Sequence, residues 1–323
     1  MSDNFNNIKN IKPQDKSEDK YRDLENKYSE LKAILKSMGK VVIAFSGGVD
    51  SAFLLKVAKE VLEDNVIAVT AKSATFPERE IKKAAELAKA FKVKHLIIKS
   101  NELKNPDYIK NDFNRCYFCK KELFNDIKKI ADSEYNNNYV ISNNSCNNSS
   151  ISINKKNLIN DKKSKSNKSN SYIILDGQNF DDINDFRPGM KAAEELGIRS
   201  PLKEAKLTKD EIRELSKSLD IDGWDRPSFA CLSSRIPYGT HINEQLLNKI
   251  DLLENLLLNL GFTQVRVRHH DKIARIEVAQ EEINKFNDKD IRMQVLSEFK
   301  KQGYLYITID LEGYKTGSMN KII

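Results

Sequence analysis

Long apolar runs and cysteines are both scarce in this sequence, and each shortage excludes a class of protein. None of the 323 residues belongs to an apolar run of about 18 residues, the length that a membrane-spanning helix needs. Residues 1–20 are polar and contain no apolar core of a signal peptide, so we expect no secretory signal. Four cysteines, two of them at Cys-x-x-Cys spacing, do not make the framework of a disulfide-rich secreted domain. We therefore expect a cytoplasmic protein with a metal or redox site.

The net charge of +7 is concentrated in one segment. Between Tyr135 and Ser171, six lysines and one aspartate carry +5 of it, so the rest of the chain is close to neutral. This distribution is typical of a solvated basic loop, and we expect no nucleic-acid partner. The segment is rich in asparagine and serine and poor in apolar residues, which predicts a disordered insertion at about 135–171 with no role for Cys146. Residues 1–20 are expected to form a disordered tail.

Outside the insertion, short apolar runs alternate with segments of helical periodicity. Strands are predicted at 41–45, 66–69, 96–98 and 172–175, and helices after Ser51 and over 78–91. Runs that are apolar at every position are typical of strands buried on both faces. Thr208 followed by Glu211 predicts a capping box that starts a helix running to Leu219. This order predicts an α/β fold built on a doubly wound parallel sheet.

The pattern changes at about Thr240. A long helix is predicted over 246–260, ending before Gly261, and strands are predicted over 265–269, 273–278 and 304–309. We therefore predict two domains, a larger one over 21–235 that contains the parallel sheet and a smaller α+β domain over 240–323.

The most specific motif directly follows the first predicted strand and opens the first predicted helix. It consists of Ser46, Gly47, Gly48, Val49, Asp50 and Ser51. Glycines let the backbone turn tightly and approach a phosphate, and the N–H groups at the start of a helix bind anions. Ser46 and Ser51 add hydroxyl donors, and Asp50 can hold Mg²⁺ bridged to phosphates. The motif has neither the lysine of a Walker A loop nor the spacing of a dinucleotide-binding loop; the alternative is a turn whose side chains only cap the helix.

Three cysteines form the second candidate site. Cys116 and Cys119 stand at the start of a predicted helix, and Cys231 follows far downstream. Three thiolates without an obvious fourth ligand indicate an iron–sulfur cluster with one iron open to another ligand. Three alternatives remain open: a zinc site completed by His95 or His241, a thioredoxin-type disulfide, or cysteines that are simply buried.

Two arginines in the smaller domain form a third candidate site. Arg266 and Arg268 alternate with valines, so both point to one face of a predicted strand. Paired guanidinium groups are suited to bidentate binding of phosphate or carboxylate, and the alternative is a solvated strand face. Ser234 and Arg235 lie close to Cys231 in sequence and are further candidates for contact with a substrate.

The glycine-rich motif resembles the SGGxDS loop of the ATP pyrophosphatase (PP-loop) superfamily, whose domain is adenine nucleotide alpha hydrolase-like. Collinear motifs over nearly the whole chain resemble the LarE family of pyridinium-3,5-biscarboxylic acid mononucleotide sulfurtransferases, which act in nickel-pincer cofactor synthesis. These motifs are FSGGVDS (45–51), SATFPERE (73–80), RCYFCKKELF (115–124), RPGMKAAEELGIRSPL (187–202), ACLSSRIPYGT (230–240), VRVRHH (265–270) and EGYKTGSMN (312–320).

The resemblance implies a reaction in two stages. ATP, with Mg²⁺ at Asp50, adenylates a carboxylate of the mononucleotide substrate, and a sulfur nucleophile then displaces AMP. The strand end at Val69 to Ala71 is implied to meet the adenine through its backbone, and Thr70 and Ser73 are implied to belong to the nucleotide site. Cys231 is implied to be catalytic, and with Cys116 and Cys119 it matches the branch of the family that holds a [4Fe–4S] cluster rather than the branch that sacrifices a lone cysteine.

The resemblance also implies a quaternary structure. Arg266 and Arg268 match a substrate-phosphate site at a contact between subunits, and the family suggests a homo-oligomer, a hexamer built as a dimer of trimers. The smaller domain is thereby given the substrate and oligomerisation roles.

Other functions remain open from the sequence. A tRNA thiolation enzyme of the same superfamily also fits a Cys-x-x-Cys pair with a distant cysteine, but the near-neutral core does not favour RNA binding. A synthetase that uses ammonia gives no reason for the cysteines. A non-catalytic nucleotide-binding or metal-storage protein would release no pyrophosphate.

Overall fold

The structure is a computed structural model that describes residues 16–136, 150–151, 172–184, 188–227 and 229–315. Its helices are α1 (Lys16–Met38), α2 (Val49–Leu62), α3 (Glu78–Ala90), α4 (Pro106–Ile109), α5 (Arg115–Asn136), α6 (Pro188–Glu195), α7 (Pro201–Glu204), α8 (Lys209–Ser218), α9 (Glu244–Asn259) and α10 (Lys289–Lys301). Its strands are β1 (Val41–Ala44), β2 (Val66–Lys72), β3 (Lys94–Lys99), β4 (Ser150–Ile151), β5 (Ile173–Leu175), β6 (Val265–His270), β7 (Ile273–Val278) and β8 (Tyr306–Ile309).

The chain forms two compact units and passes from one to the other several times. The first unit comprises Met1–Lys72, Glu78–Ser100 and Cys119–Ser228, and the second comprises Ser73–Pro77, Asn101–Phe118 and Phe229–Ile323. The second unit therefore contains two short segments from the N-terminal half in addition to the predicted C-terminal region.

The first unit contains a parallel sheet in the order β4-β3-β2-β1-β5. Alternate residues of its strands face two separate apolar cores, as a period of two requires. Val41 and Ile43 pack in a core with α1, α2, α3 and α8, whereas Val42 and Val69 pack in a core with α5 and α6. Helices thus cover both faces, and the predicted doubly wound α/β fold is confirmed.

Helix α1 was not predicted from the sequence. Its buried side chains Leu24, Tyr28, Leu31, Leu35 and Met38 recur every three or four residues, and they join the core on the α2 side of the sheet. The last five residues of the predicted disordered tail belong to this helix, and residues 1–15 lie outside the described part of the chain.

The predicted insertion lies mostly outside the described residues. Its described parts are the end of α5, which continues to Asn136, and the short strand β4, which pairs in parallel with β3.

The predicted capping box is confirmed at the start of α8. The Thr208 side chain accepts from the Glu211 N–H, and the Glu211 carboxylate accepts from the Thr208 N–H at 2.8 Å. The helix ends at Ser218, one residue before the predicted end.

The second unit contains a three-stranded sheet in the order β6-β7-β8, in which β6 is antiparallel to β7 and β8 is parallel to it. Helix α9 lies against β6 and is followed by Gly261, whose φ of +88° is the left-handed conformation typical of a helix C′ residue. The last strand begins at Tyr306 rather than at Tyr304, because the Tyr304 N–H is still bonded to the Phe299 carbonyl at the end of α10.

No helix within the described ranges is both long and apolar enough to cross a membrane.

Candidate active site

The glycine-rich motif forms a tight loop between β1 and α2, as predicted. Gly48 is the N-cap of α2 and offers no side chain to the first N–H groups of the helix. The Ser51 hydroxyl donates to the Gly48 carbonyl at 3.0 Å and lies 3.2 Å from the Ser46 hydroxyl. The loop therefore presents backbone donors and two hydroxyl groups at the positive end of a helix, which is an anion-binding arrangement.

Two glycines make close approaches that a side chain would prevent. Gly47 has a φ of +75°, and a Cβ placed there would lie 2.9 Å from the Ala84 Cβ of α3. Gly177 follows β5, and a Cβ placed there would lie 3.1 Å from the Ser51 N atom. The chain after β5 thus passes directly beside the start of α2.

This position coincides with the topological switch point of the sheet. Strands β2 and β3 follow on one side of β1, and β5 lies on the other. The loops after β1 and β5 therefore diverge at the carboxyl ends of neighbouring strands, where open α/β sheets bind their ligands.

Asp50 supplies an acidic group at the same end of α2. Its Oδ2 accepts from Lys209 Nζ at 2.6 Å. Its Oδ1 is buried and has no hydrogen-bond partner among the described residues. A buried carboxylate oxygen without a donor fits an oxygen ligand for Mg²⁺.

Lys209 is held by the segment after β5. Its backbone N–H donates to Asp181 Oδ2 at 2.7 Å, and Asp182 accepts in turn from the Asn179 N–H at 3.0 Å. Asp181 therefore fixes the start of α8, which carries the cation that faces Asp50, and Asp182 bonds within the segment after β5.

Thr70 and Ser73 are placed differently from each other. The Thr70 hydroxyl is buried and bonded to the Phe45 carbonyl and to His95, so it faces protein groups. Ser73 belongs to the second unit, where its hydroxyl lies 2.7 Å from that of Thr75. The contribution of both residues to nucleotide binding stays a prediction.

Cys116 and Cys119 lie near the start of α5, three residues apart and therefore on one face of the helix. Together with Cys231 they are thiols rather than disulfides; Cys116 is exposed and the other two are half-buried. The helix begins at Arg115, which places both cysteines inside it.

Cys116 and Cys231 both act on the guanidinium group of Arg115. Burial alone would lower the pKa of Arg115, but the negative charge available on Cys231 and then on Cys116 raises it, and the net pKa is raised. Arg115 also donates to the Ser233 carbonyl at 2.9 Å and lies 4.8 Å above the Tyr238 ring. A buried cation therefore lies near two of the predicted sulfur ligands.

The residues that follow Cys231 form a short 3₁₀ turn, Leu232–Arg235. The Arg235 guanidinium is fully buried and pairs with Glu254 through two hydrogen bonds, of 2.8 and 3.0 Å. It also donates to the Cys231 carbonyl at 3.0 Å. In this arrangement Arg235 holds the turn from inside, and its contact with a substrate stays a prediction.

The two arginines of β6 are buried, so the alternative of a solvated strand face does not describe them. Arg268 donates to the Ser234 carbonyl at 3.0 Å and to Glu277 at 2.6 Å. Arg266 lies between the rings of Phe229 and Tyr314, 6.0 and 4.8 Å from their centres. Burial and then the neighbouring Arg235 lower the pKa of Arg266. An anion beside Arg266 would offset that cost.

No group of three or more histidine, cysteine, aspartate or glutamate side chains is placed to hold a metal ion anywhere in the described ranges. The donor chemistry of three thiols fits an iron–sulfur cluster, and ligation of such a cluster by Cys116, Cys119 and Cys231 stays a prediction.

Sequence reasoning missed Lys209, Gly177 and Arg115 as members of these sites. A lysine directly after the Thr208 N-cap was a visible signal, because it stands at a helix N-terminus where cations are disfavoured. Arg115 gave a weaker signal, its position directly before Cys116.

Comparisons with known proteins add three relatives and one family model. The NAD synthase family model matches residues 24–121. An uncharacterised protein of Synechocystis sp. is 37% identical over 300 residues, which are 93% of this chain and 99% of that protein. The pyridinium-3,5-bisthiocarboxylic acid mononucleotide synthase of Lactiplantibacillus plantarum is 34% identical over 301 residues, 92% of this chain and 95% of that enzyme. An uncharacterised protein of Methanocaldococcus jannaschii is 28% identical over 277 residues, 86% of this chain and 91% of that protein.

Proposed function

Because the chain belongs to the LarE family of pyridinium-3,5-bisthiocarboxylic acid mononucleotide synthases, within the PP-loop superfamily, we propose that it is an ATP-dependent sulfurtransferase. It adenylates a carboxylate of pyridinium-3,5-biscarboxylic acid mononucleotide and converts it into a thiocarboxylate. The product would serve nickel-pincer cofactor synthesis, in the cytoplasm.

The observation that carries the proposal is the carboxylate of Asp50 at the glycine-rich loop. Its Oδ1 is buried without a donor, and its Oδ2 is paired with a lysine at the switch point of a parallel sheet. Asp50 would hold a magnesium ion, which would neutralise negative charge on the phosphates of bound ATP.

The first step makes a leaving group. A carboxylate oxygen of the substrate attacks the α-phosphorus of ATP, a new P–O bond forms, and pyrophosphate leaves with the electron pair of the broken P–O bond. The Lys209 ammonium and the N–H groups at the start of α2 lie where they would neutralise the charge that develops on the phosphates.

The second step replaces oxygen by sulfur. A sulfur nucleophile attacks the acyl carbon, and AMP leaves with the electron pair of the former acyl C–O bond. Two observations support a part for Cys231 in this step. Cys231 is a free thiol, and the nearby Arg115 cation would stabilise negative charge on sulfur.

The sulfur source is a separate part of the proposal. Cys116, Cys119 and Cys231 would hold a [4Fe–4S] cluster, which would supply iron-bound sulfide. Support comes from the Arg115 guanidinium, which interacts with Cys116 and Cys231, and from the helix face that Cys116 and Cys119 share.

The substrate carries a phosphate as well as carboxylates. The guanidinium group of Arg266 is buried, so water solvates its charge poorly. We propose that it binds one of these anions. A homo-oligomer, which light scattering would detect, remains part of the proposal.

The test of the ATP-dependent step is the formation of AMP and pyrophosphate from MgATP, with and without the pyridinium dicarboxylate mononucleotide. Asp50→Asn keeps the side-chain size and removes the charge, so we expect its rate to fall on the order of 10²–10³-fold. Asp64→Asn is the matched control, because Asp64 is exposed and, among the residues that the structure describes, forms its ion pair with Lys59 at the far end of α2. Wild-type protein that forms no substrate-stimulated AMP would refute the function.

The sulfur site is tested separately from the ATP-dependent step. Anaerobically purified protein is analysed for iron, sulfide and visible absorption, alongside Cys116→Ala, Cys119→Ala and Cys231→Ala. Each variant should lose iron and thiocarboxylate formation while it still forms AMP. Iron and thiolation activity retained in all three variants would show that these cysteines are not the sulfur site.

A further inference from the structure

His95 stands at the centre of a hydrogen-bonded chain that reaches the start of the glycine-rich loop. Its ring lies edge-on to Phe45, with 5.8 Å between ring centres and an angle of 81°. Its Nε2 is 2.7 Å from Thr70 Oγ1, which is 2.6 Å from the Phe45 carbonyl oxygen. Phe45 directly precedes Ser46, the first residue of the loop.

The positions of the protons in these two hydrogen bonds follow from which atoms can donate and which can only accept. The Phe45 carbonyl can only accept, so the single hydroxyl proton of Thr70 is committed to it. The remaining contact of the Thr70 oxygen is with His95 Nε2, and this contact is a hydrogen bond only if Nε2 carries a proton and donates. His95 therefore carries a proton on Nε2.

The charge state of His95 agrees with this role. Burial lowers the pKa of His95 to about 4, so the ring is neutral at physiological pH. A neutral Nε2–H donor keeps its tautomer and charge over the whole range in which ATP binds Mg²⁺, and the chain of hydrogen bonds does not change with pH in that range.

Phe45 is thereby bonded to β2 through both its N–H and its carbonyl group. Its N–H donates to the Val69 carbonyl at 2.8 Å, and its carbonyl accepts from the hydroxyl of the next residue of β2, Thr70. Both bonds act on the residue that directly precedes the glycine-rich loop.

We propose that His95 is a positioning residue of the nucleotide site, which acts through Thr70 to hold the Phe45 carbonyl and with it the start of the glycine-rich loop. The proposal rests on the nucleotide-binding function proposed above. It assigns Thr70 an indirect part, because both bonds of its hydroxyl are made inside the protein.

The first experiment reads the tautomer directly. The chain has four histidines, so a ¹⁵N spectrum of His95→Gln identifies the His95 signals by subtraction. In wild-type protein at pH 7 we expect a neutral ring protonated at Nε2. A ring protonated at Nδ1, or a charged ring, would overturn the proposal whether or not the protein is an enzyme.

The second experiment measures MgATP affinity by calorimetry. His95→Leu removes the donor and should weaken binding about tenfold, the usual worth of one hydrogen bond. His95→Gln offers an amide donor and should recover most of the affinity. Thr70→Val should resemble His95→Leu, and the double variant should be no weaker than either single one, because all three changes break the same chain.

The effect should appear in the KM for ATP rather than in kcat, since the loop is displaced and the reacting groups are unchanged. His241→Gln, at an exposed histidine of the second unit, is the control and should bind MgATP like wild type. Wild type that binds MgATP while His95→Leu binds equally well would refute the positioning role alone. Wild type that does not bind MgATP would instead refute the proposed function.

Discussion

Replacing Glu254 by glutamine tests the buried ion pair that fixes the turn after Cys231. Arg235 is 0% and Glu254 1% exposed, and the carboxylate also accepts from the Val267 N–H of β6 at 3.0 Å. Glutamine keeps the volume but places a neutral amide, itself partly a donor, against the guanidinium. The positive charge of Arg235 then stays buried without its counter-charge, which costs about 3–5 kcal/mol.

An exposed pair of the same chemistry is the control. Arg199 and Glu204 also form two hydrogen bonds, but their side chains are 42% and 31% exposed. Water screens both charges there, so Glu204→Gln should cost less than about 1 kcal/mol.

The measurement is urea denaturation, with hydrogen exchange read by mass spectrometry to separate the two units. Glu254→Gln should accelerate exchange in α9 and in the turn after Cys231, whereas Glu204→Gln should leave both unchanged. Arg235→Met combined with Glu254→Leu removes both charges together, and this double variant should be more stable than Glu254→Gln. A loss below about 1 kcal/mol for Glu254→Gln, equal to that of the exposed control, would refute the reasoning.

Three further changes probe the first unit. Thr208→Ala removes the side-chain cap of α8 and should cost about 1 kcal/mol in urea denaturation, with Thr208→Ser recovering most of it; an unchanged midpoint would contradict the capping role. Gly47→Ala must adopt a φ of +75° with its Cβ 2.9 Å from Ala84, so we expect a loss of at least about 1–2 kcal/mol and weakened MgATP binding, and wild-type affinity would be the contrary result. Burial lowers the pKa of His95 to about 4, so below pH 6.5 the unfolded chain takes up a proton that the folded chain refuses. Wild type should therefore lose about 1 kcal/mol more stability than His95→Gln between pH 7 and pH 5, a value reduced for partial exposure; parallel pH profiles would exclude it.

Local chemistry made the first unit predictable from the sequence. The glycine-rich loop carries its own turn, donors and helix start within a few residues, so no distant contact was needed to recognise it. The capping box of Thr208 and Glu211 is equally local. Strands buried on both faces appear as unbroken apolar runs, which gave the parallel sheet.

Contacts between distant segments were not predictable in the same way. Lys209 meets Asp50 only because β5 returns beside β1, and the two residues are 159 positions apart. The direction of the Arg235 side chain depends on the 3₁₀ turn that contains it, and adjacency to Cys231 in sequence says nothing about that direction. Helix α1 is a different case, since its apolar spacing was visible but its polar majority obscured it.

The carbonyl groups around Cys231 accept hydrogen bonds from guanidinium groups that come from separate parts of the chain. Arg115 donates to Ser233, Arg235 to Ala230 and Cys231, and Arg268 to Ser234. Charged side chains therefore hold the carbonyl groups of this turn, one from inside the turn and two from elsewhere in the chain, so the turn does not depend on its own weak propensity alone. Two of these cations have buried counter-charges, Glu254 and Glu277. Two of the arginines that the sequence offered as substrate ligands, Arg235 and Arg268, thus donate to carbonyl groups around Cys231, whereas Arg266 lies near the Phe229 and Tyr314 rings with its charge disfavoured by burial, which is why the anion site is proposed at Arg266.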